Sequence, residues 1–363
     1  MIEESALREV VPQVIGVLVR RGADFATAED AVQDALLDAV RTFGDSARAR
    51  REVVTGAEPE PGAAESDDDT LALFFLCAHP ALTPSSAVAL TLRAVGGLTT
   101  RQVAEAYLVP DATMAQRISR AKRTVTGESF DQPGDLRTVL QVLYLVFNEG
   151  YGGDVDMAGE AIRLARQVVR LTRDEEAAGL LALMLLHHAR RPARRRPDGT
   201  LVALADQDRS RWDSTLIAEG VELLQAALAS QRRGAYQVQA AIAALHADAR
   251  SAEETDWVQI LEWYDELVAL TDSPVVRLNR AVAVGEAAGA QAGLVALREL
   301  DPGLPRHRAV AAYLHEKAGD LDTAGRLYSE AAALATNVAE RTHLTRQAAR
   351  LRRHDGHRPP PLT

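Results

Sequence analysis

One cysteine in 363 residues, Cys77, rules out an intramolecular disulfide and points to a reducing compartment. His79 lies close by in sequence, but two ligand types without further partners do not make a metal centre, so both read as structural. The N-terminal stretch MIEESALREVV has no basic segment leading into an apolar core and is therefore no signal peptide. No apolar run approaches the length of a membrane span. The expectation is a cytoplasmic protein without a membrane partner. Aromatic residues are scarce at 4%, and the three tryptophans, Trp212, Trp257 and Trp263, all fall in the C-terminal half. Positive charge is the minority sign, 41 basic residues against 51 acidic, for a net charge of -10. That balance excludes a protein that coats nucleic acid with its whole surface, yet leaves room for a small basic module on an acidic body. No nucleotide-binding loop or catalytic triad is present, and nothing indicates an enzyme or a cofactor.

What the chain has in abundance is helix-forming residues: Ala, Leu, Arg and Glu dominate, and apolar positions recur at three- and four-residue spacing. The fold class expected is all-α. Two helices fill residues 1–46, one with a face of Val10, Val14, Val17 and Leu18, the other with Phe25, Ala28, Val32, Ala35, Leu36 and Val40. Residues 47–69 read as a flexible acidic linker ending in Asp67-Asp68-Asp69. Helices resume with the apolar LALFFLCAH of Leu71 to His79. Next come a Thr83-Pro84 start and a helix that stops at Gly96-Gly97, inside a domain of residues 70–128. Residues 129–355 form a helical domain, and 356–363 a disordered tail. In this second half the pairs Ile260/Tyr264, Ala292/Ala296 and Ala324/Tyr328 recur roughly every 32 residues. That spacing is close to the period of about 34 of tetratricopeptide helix pairs.

The stretch LTTRQVAEAYLVPDATMAQRISRAKRTV, Leu98 to Val125, reads as a helix-turn-helix. Thr99 caps a first helix whose Val103, Ala104 and Tyr107 face inward, and small Ala104 allows close approach of the second. Leu108-Val109 makes the turn, where either a leucine takes positive φ at a cost on the order of 1 kcal/mol or the turn differs from the usual one. Pro110 suits the first position of the second helix, and Asp111 lies near the positive end of its dipole. Met114, Ile118 and Ala121 pack inward, leaving Thr113, Gln116, Arg117 and Arg120 outside. Gln116 and Arg117 carry the donors and acceptors to read adenine and guanine edges, whereas Lys122 and Arg123 suit phosphate. The partner implied is double-stranded DNA.

Two further runs carry charge. His187-His188 followed by Arg190, Arg191, Arg194, Arg195 and Arg196, broken by Pro192 and Pro197, reads as a solvated inter-helix loop. Asp206, Asp208, Arg209, Arg211 and Asp213 around Trp212 read as a structural ion-pair network.

The segments FLCAHPALTP, LTLRAVGGLTT, AYLVPDATMAQRI and RAKRTV resemble region 4 of extracytoplasmic-function (ECF) sigma factors of RNA polymerase. The closest likeness is to the subgroup with a C-terminal tetratricopeptide-like extension, where LYLVFNEGY, DQDRSRWD and SPVVRLNRAVAV also match. The resemblance implies recognition of a promoter's minus-35 element, with the fused domain acting in cis through contact with the sigma core. Ala28 to Leu36, AEDAVQDAL, resembles region 2.2, which implies that Asp30, Gln33, Asp34 and Leu37 contact core RNA polymerase. Family members continue with an aromatic, basic helix that melts the minus-10 element. Here SARARR runs into the acidic stretch without an aromatic residue between 44 and 70, and about two dozen residues of that module are missing. Promoter finding is thus implied with its residues in place, and promoter melting without them. The other readings are a sigma-derived decoy and a helical-repeat adaptor.

Overall fold

The computed structural model describes residues 4–43, 63–126, 135–149, 156–196, 200–230, 232–336 and 338–355. All regular structure among them is helical: 17 α-helices, three short 3-10 turns, and one isolated bridge between Arg195 and Leu201 in place of any strand. The expected all-α class is the observed one. The chain divides into two units, Met1–Leu181 and Ala182–Thr363.

The first unit contains α1 (Glu4–Arg20), α2 (Phe25–Phe43), α3 (Ala63–Cys77), α4 (Pro84–Ala94), α5 (Thr100–Ala106), α6 (Asp111–Val125), α7 (Leu136–Glu149) and α8 (Met157–Thr172). The division between units falls inside α9 (Glu175–Ala189). In α1 the buried face is Val11 and Ile15, while Val10 and Val14 are exposed. The helix is apolar on adjacent positions, so spacing alone picks the face wrongly by one residue. In α2 Phe25, Ala28 and Val32 are buried as expected, but Ala35 is exposed.

Helix α3 starts six positions before the expected end of the linker. Asp69, expected in a solvated run, is buried and ion-paired with Arg20. A side chain at position 16 of α1 would come within 2.6 Å of the Asp69 Cβ, so Gly16 lets α1 close onto α3 and bring that pair together. The rest of the expected linker, 47–62, and the tail 356–363 lie outside the described residues.

Helix α4 is the hub, packing on α3, α5, α6 and α7. Its start is as the sequence implies: Thr83 caps it by accepting from the Ser86 N–H at 3.3 Å, with Pro84 in the first turn. Its residues from Ala87 to Leu92 are all buried. The chain leaves it through Gly97 at φ 67, and the Leu98 N–H reaches the Leu92 carbonyl at 3.1 Å. Helices α7 and α8 pack on α3, so the helix-turn-helix shares its core with helices beyond residue 128.

In the second unit α10 (Ser214–Leu228) packs on α11 (Ala235–Asp248). Six helices follow, α12 (Trp257–Thr271), α13 (Pro274–Ala287), α14 (Ala290–Arg298), α15 (His307–Lys317), α16 (Leu321–Leu334) and α17 (Val338–Asp355). Each packs chiefly on its neighbours in sequence, and the core runs as a chain of clusters. Ile260 and Leu267 join Val238 and Ala283; Leu278, Leu294 and Leu314 form the next cluster; Ala324, Tyr328 and Leu351 the last. The recurrent pairs of the sequence fall on alternate helices, α12, α14 and α16, so the repeat is one helix pair long.

Candidate nucleic-acid interface

A complete capping box opens α5. The Thr99 hydroxyl accepts from the Gln102 N–H at 3.2 Å, and the Gln102 side chain accepts from the Thr99 N–H at 2.9 Å. Val103 and Ala104 are fully buried, and Tyr107 is half-buried. The turn then demands what its sequence makes costly: Leu108 sits at φ 54 and is 73% exposed. The Val109 N–H closes the turn on the Ala104 carbonyl at 3.0 Å. Pro110 occupies the cap position, one residue earlier than expected, and α6 begins at Asp111.

Met114, Ile118, Ala121 and Val125 form the inner stripe of α6. On the other side Thr113, Gln116, Arg120 and Arg123 are exposed and Arg117 is half-exposed. Arg117 and Arg120 make no ion pair among the described residues, so their guanidinium groups are available to a ligand. Glu105, the nearest acid on α5, is taken up by Arg101 at 2.7 Å. This outward row of donors beside an uncovered helix start is suited to a polyanionic duplex.

Lys122 departs from the expected outward placement. It is 8% exposed, and its ammonium pairs with Glu29 and, at 2.6 Å, with Asp30, both on α2. Glu29 is fully buried and holds Arg93 of α4 through its other oxygen at 2.9 Å. Gln33, one turn on, is also fully buried. Its amide donates to the Arg93 carbonyl at 2.9 Å and accepts from the Arg93 guanidinium at 3.1 Å. Two carboxylates meet two cations, so this seam between α2 and the helix-turn-helix is neutral and internally paired. Its charge reaches Cys77, whose thiol is pushed upward in pKa by burial and further by Glu29. That thiol is kept protonated and inert.

The expected polymerase contacts thus divide. Gln33 is buried in the seam, Asp30 is exposed but engaged by Lys122, and Asp34 is exposed. The Leu37 side chain lies outside the described residues. Glu29 and Arg93, the centre of the seam, were not anticipated. Lys122 could have been: it lies four residues after Ile118 and eight after Met114, on the inner stripe. Glu29 follows Phe25 by four, and Gln33 follows Glu29 by four, so the polar seam prolongs an apolar one.

Residues 75–125 match the family model described as sigma-70, region 4. Residues 75–125, from the last turn of α3 to the end of α6, are therefore a sigma-70 region 4 domain, which suggests a sigma-factor-like DNA-binding role. Over 399 aligned residues, 95% of this chain and 94% of the relative, it is 36% identical to an uncharacterized protein of Rhizobium meliloti (strain 1021). The chain belongs to that protein's family. Residues 135–228, which span α7 to α10, match a family of unknown function (DUF6596). No solved structure matches.

Among the described residues no three His, Cys, Asp or Glu side chains converge as metal ligands would, and no helix is long and apolar enough to cross a membrane. His79 accepts from the Ala81 N–H through Nδ1 at 3.2 Å.

Proposed function

We propose that this protein is an ECF-type sigma factor or a regulator derived from one, working in the cytoplasm with core RNA polymerase and promoter DNA. The observation that carries the reading is the outer face of α6, with unpaired Arg117 and Arg120 beside Thr113, Gln116 and Arg123 on a region 4 domain. Gln116 and Arg117 would read base edges of a minus-35-like element, and Thr113, Arg120 and Arg123 would hold phosphates. Lys122 is assigned to the seam and not to phosphate, because its charge is already met twice. Polymerase would bind α2 through Leu37 and through Asp34, which is exposed, with Asp30 and Gln33 released only when α2 parts from α4 and α6. The helix pairs α12 to α17 would be a tetratricopeptide-like module that regulates the region 4 domain in cis, as the fused arrangement of the resembled subgroup implies.

A second reading, a decoy that binds polymerase or DNA and opens no promoter, is favoured by the seam together with the absence of aromatic residues between 44 and 70. Run-off transcription with core polymerase separates the two. Transcripts from a bound promoter would support the sigma factor and eliminate the decoy; polymerase bound without transcripts would do the reverse. Binding of neither polymerase nor duplex would leave only a helical-repeat adaptor and overturn both.

A further inference from the structure

The most basic run of the chain keeps Arg191, Arg194, Arg195 and Arg196 exposed, as expected of a solvated loop, but it is not an irregular one. After α9, Arg191–Ala193 fold into a 3-10 turn whose Ala193 is buried, and Arg195 bridges to Leu201. This turn packs on a second one, Arg209–Arg211, that precedes α10. The Asp213 N–H donates to the Ala189 carbonyl at 3.0 Å, which ties the end of the second segment to the start of the first. The expected ion-pair network around Trp212 is not what forms either. Asp208 and Asp213 are spent capping, accepting from the Ser210 N–H and from the Thr215 and Leu216 N–H groups. Arg209 lies 4.7 Å over the Trp212 ring and donates to the His246 and Ala249 carbonyls, at 2.6 Å each.

The result brings the charges of Arg190, Arg194 and Arg209 within one another's field. Arg209 has Glu253 and Glu254 within its field. Burial, and then the neighbouring charges of Arg194 and Arg209, lower the pKa of Arg190 to about 10. Exposed Arg194 has the charge of Arg195 within its field. Neither Arg190 nor Arg194 makes an ion pair or side-chain hydrogen bond among the described residues. Two buried donors here are left without an acceptor among the described residues, the Arg190 Nε–H and the Trp212 indole N–H. Native proteins rarely leave such groups unpaired, because each costs its full desolvation. Among the described residues the charges of Arg190 and Arg194 have no ion-pair partner, and two such charges match one phosphate group, which carries about -1.5 to -2 at neutral pH. Guanidinium forks and an indole N–H supply donors alone, as an oxyanion requires.

We propose that the crossing of the two turns between α9 and α10 is a binding site for a small phosphate-bearing molecule. Arg190, Arg194 and the Trp212 N–H would supply its donors, with Arg209 held behind them. The recessed position of Trp212, 8% exposed, favours a small anion over a DNA backbone, which is met by protruding side chains. Exposed Arg194 marks the open side.

The test is a thermal-shift and calorimetric titration of the full-length protein with inorganic phosphate, against chloride at matched ionic strength. Wild type should gain melting temperature with phosphate and show saturable heat. Arg190→Met should melt higher than wild type without phosphate and respond at least about tenfold more weakly. Arg194→Met, at an exposed position, should weaken phosphate about tenfold without that rise and serves if the first variant fails to fold. The proposal falls if wild type shows no response beyond chloride, or if wild type and Arg194→Met respond alike. It falls equally if duplex DNA, and not phosphate, is the anion whose binding Arg194→Met abolishes.

Discussion

Lys122 on α6 and Glu29 on α2 form a buried ion pair across 93 positions of sequence, joining a DNA-binding helix to the segment before it. Glu29 also holds Arg93, so each charge in the pair is needed by more than one neighbour. Glu29→Ala should destabilise the first unit by about 3–5 kcal/mol, because it leaves Arg93 buried without an acid and Lys122 with Asp30 alone. Lys122→Met should cost less, since Glu29 keeps Arg93. Urea unfolding of both single variants and the double variant should return a coupling energy of about 0.5–3 kcal/mol. Additive effects would mean that the two side chains do not meet.

The same pairing sets apart the basic residues of α6 in DNA binding. Arg120→Ala and Arg123→Ala should each lower the slope of log affinity against log salt by about 1, as lost phosphate contacts do. Lys122→Ala should leave the slope near its wild-type value. A full unit lost at Lys122 would put its ammonium on phosphate and the seam open in the complex.

Leu108 sets a backbone test. A leucine at φ 54 that is 73% exposed has strain to lose and little burial. Leu108→Gly should raise stability by about 1 kcal/mol, the usual cost of left-handed backbone for a side chain with Cβ. Thermal unfolding measures it, and a loss of stability would show that Leu108 makes an apolar contact worth more than the strain.

Much of this turn was legible. Thr99, Ala104 and the stripe of Met114, Ile118 and Ala121 stand where helical spacing and capping rules put them, and the φ of Leu108 is the strained one of the two turns its sequence left open. What spacing could not show is which polar residues ride on an inward stripe. Lys122, Glu29 and Gln33 are inside because their partners come from distant helices, and pairing is a tertiary fact. The start of α3 was hidden for the same reason, Asp69 being tolerable in a core only through Arg20. The reverse holds for α1, where both Val10 and Val11 fit an apolar face and the neighbours decide.

The second unit should lose stability in mild acid. Burial, aided by Arg190 and Arg194, pushes His187 down to about 3; burial, aided by Arg190 and Arg209, pushes His246 down to about 4. The unfolded chain, with histidines near the ordinary value of about 6.5, takes up protons first. Their contribution is therefore complete above about pH 6.5 and is lost as pH falls toward 4 and then 3. Melting temperature should drop between pH 7 and 5, and His187→Asn should flatten that slope relative to wild type. An unchanged slope would mean that His187 protonates in place.

The most direct test of the account is a gel shift with the full-length chain, core RNA polymerase and a duplex selected from a randomised pool. A sigma-like regulator should give a three-component complex on one sequence class. Arg117→Ala should weaken it by about 1–3 kcal/mol and relax the preference at one base pair. A duplex bound with no sequence preference and no added polymerase would contradict that claim.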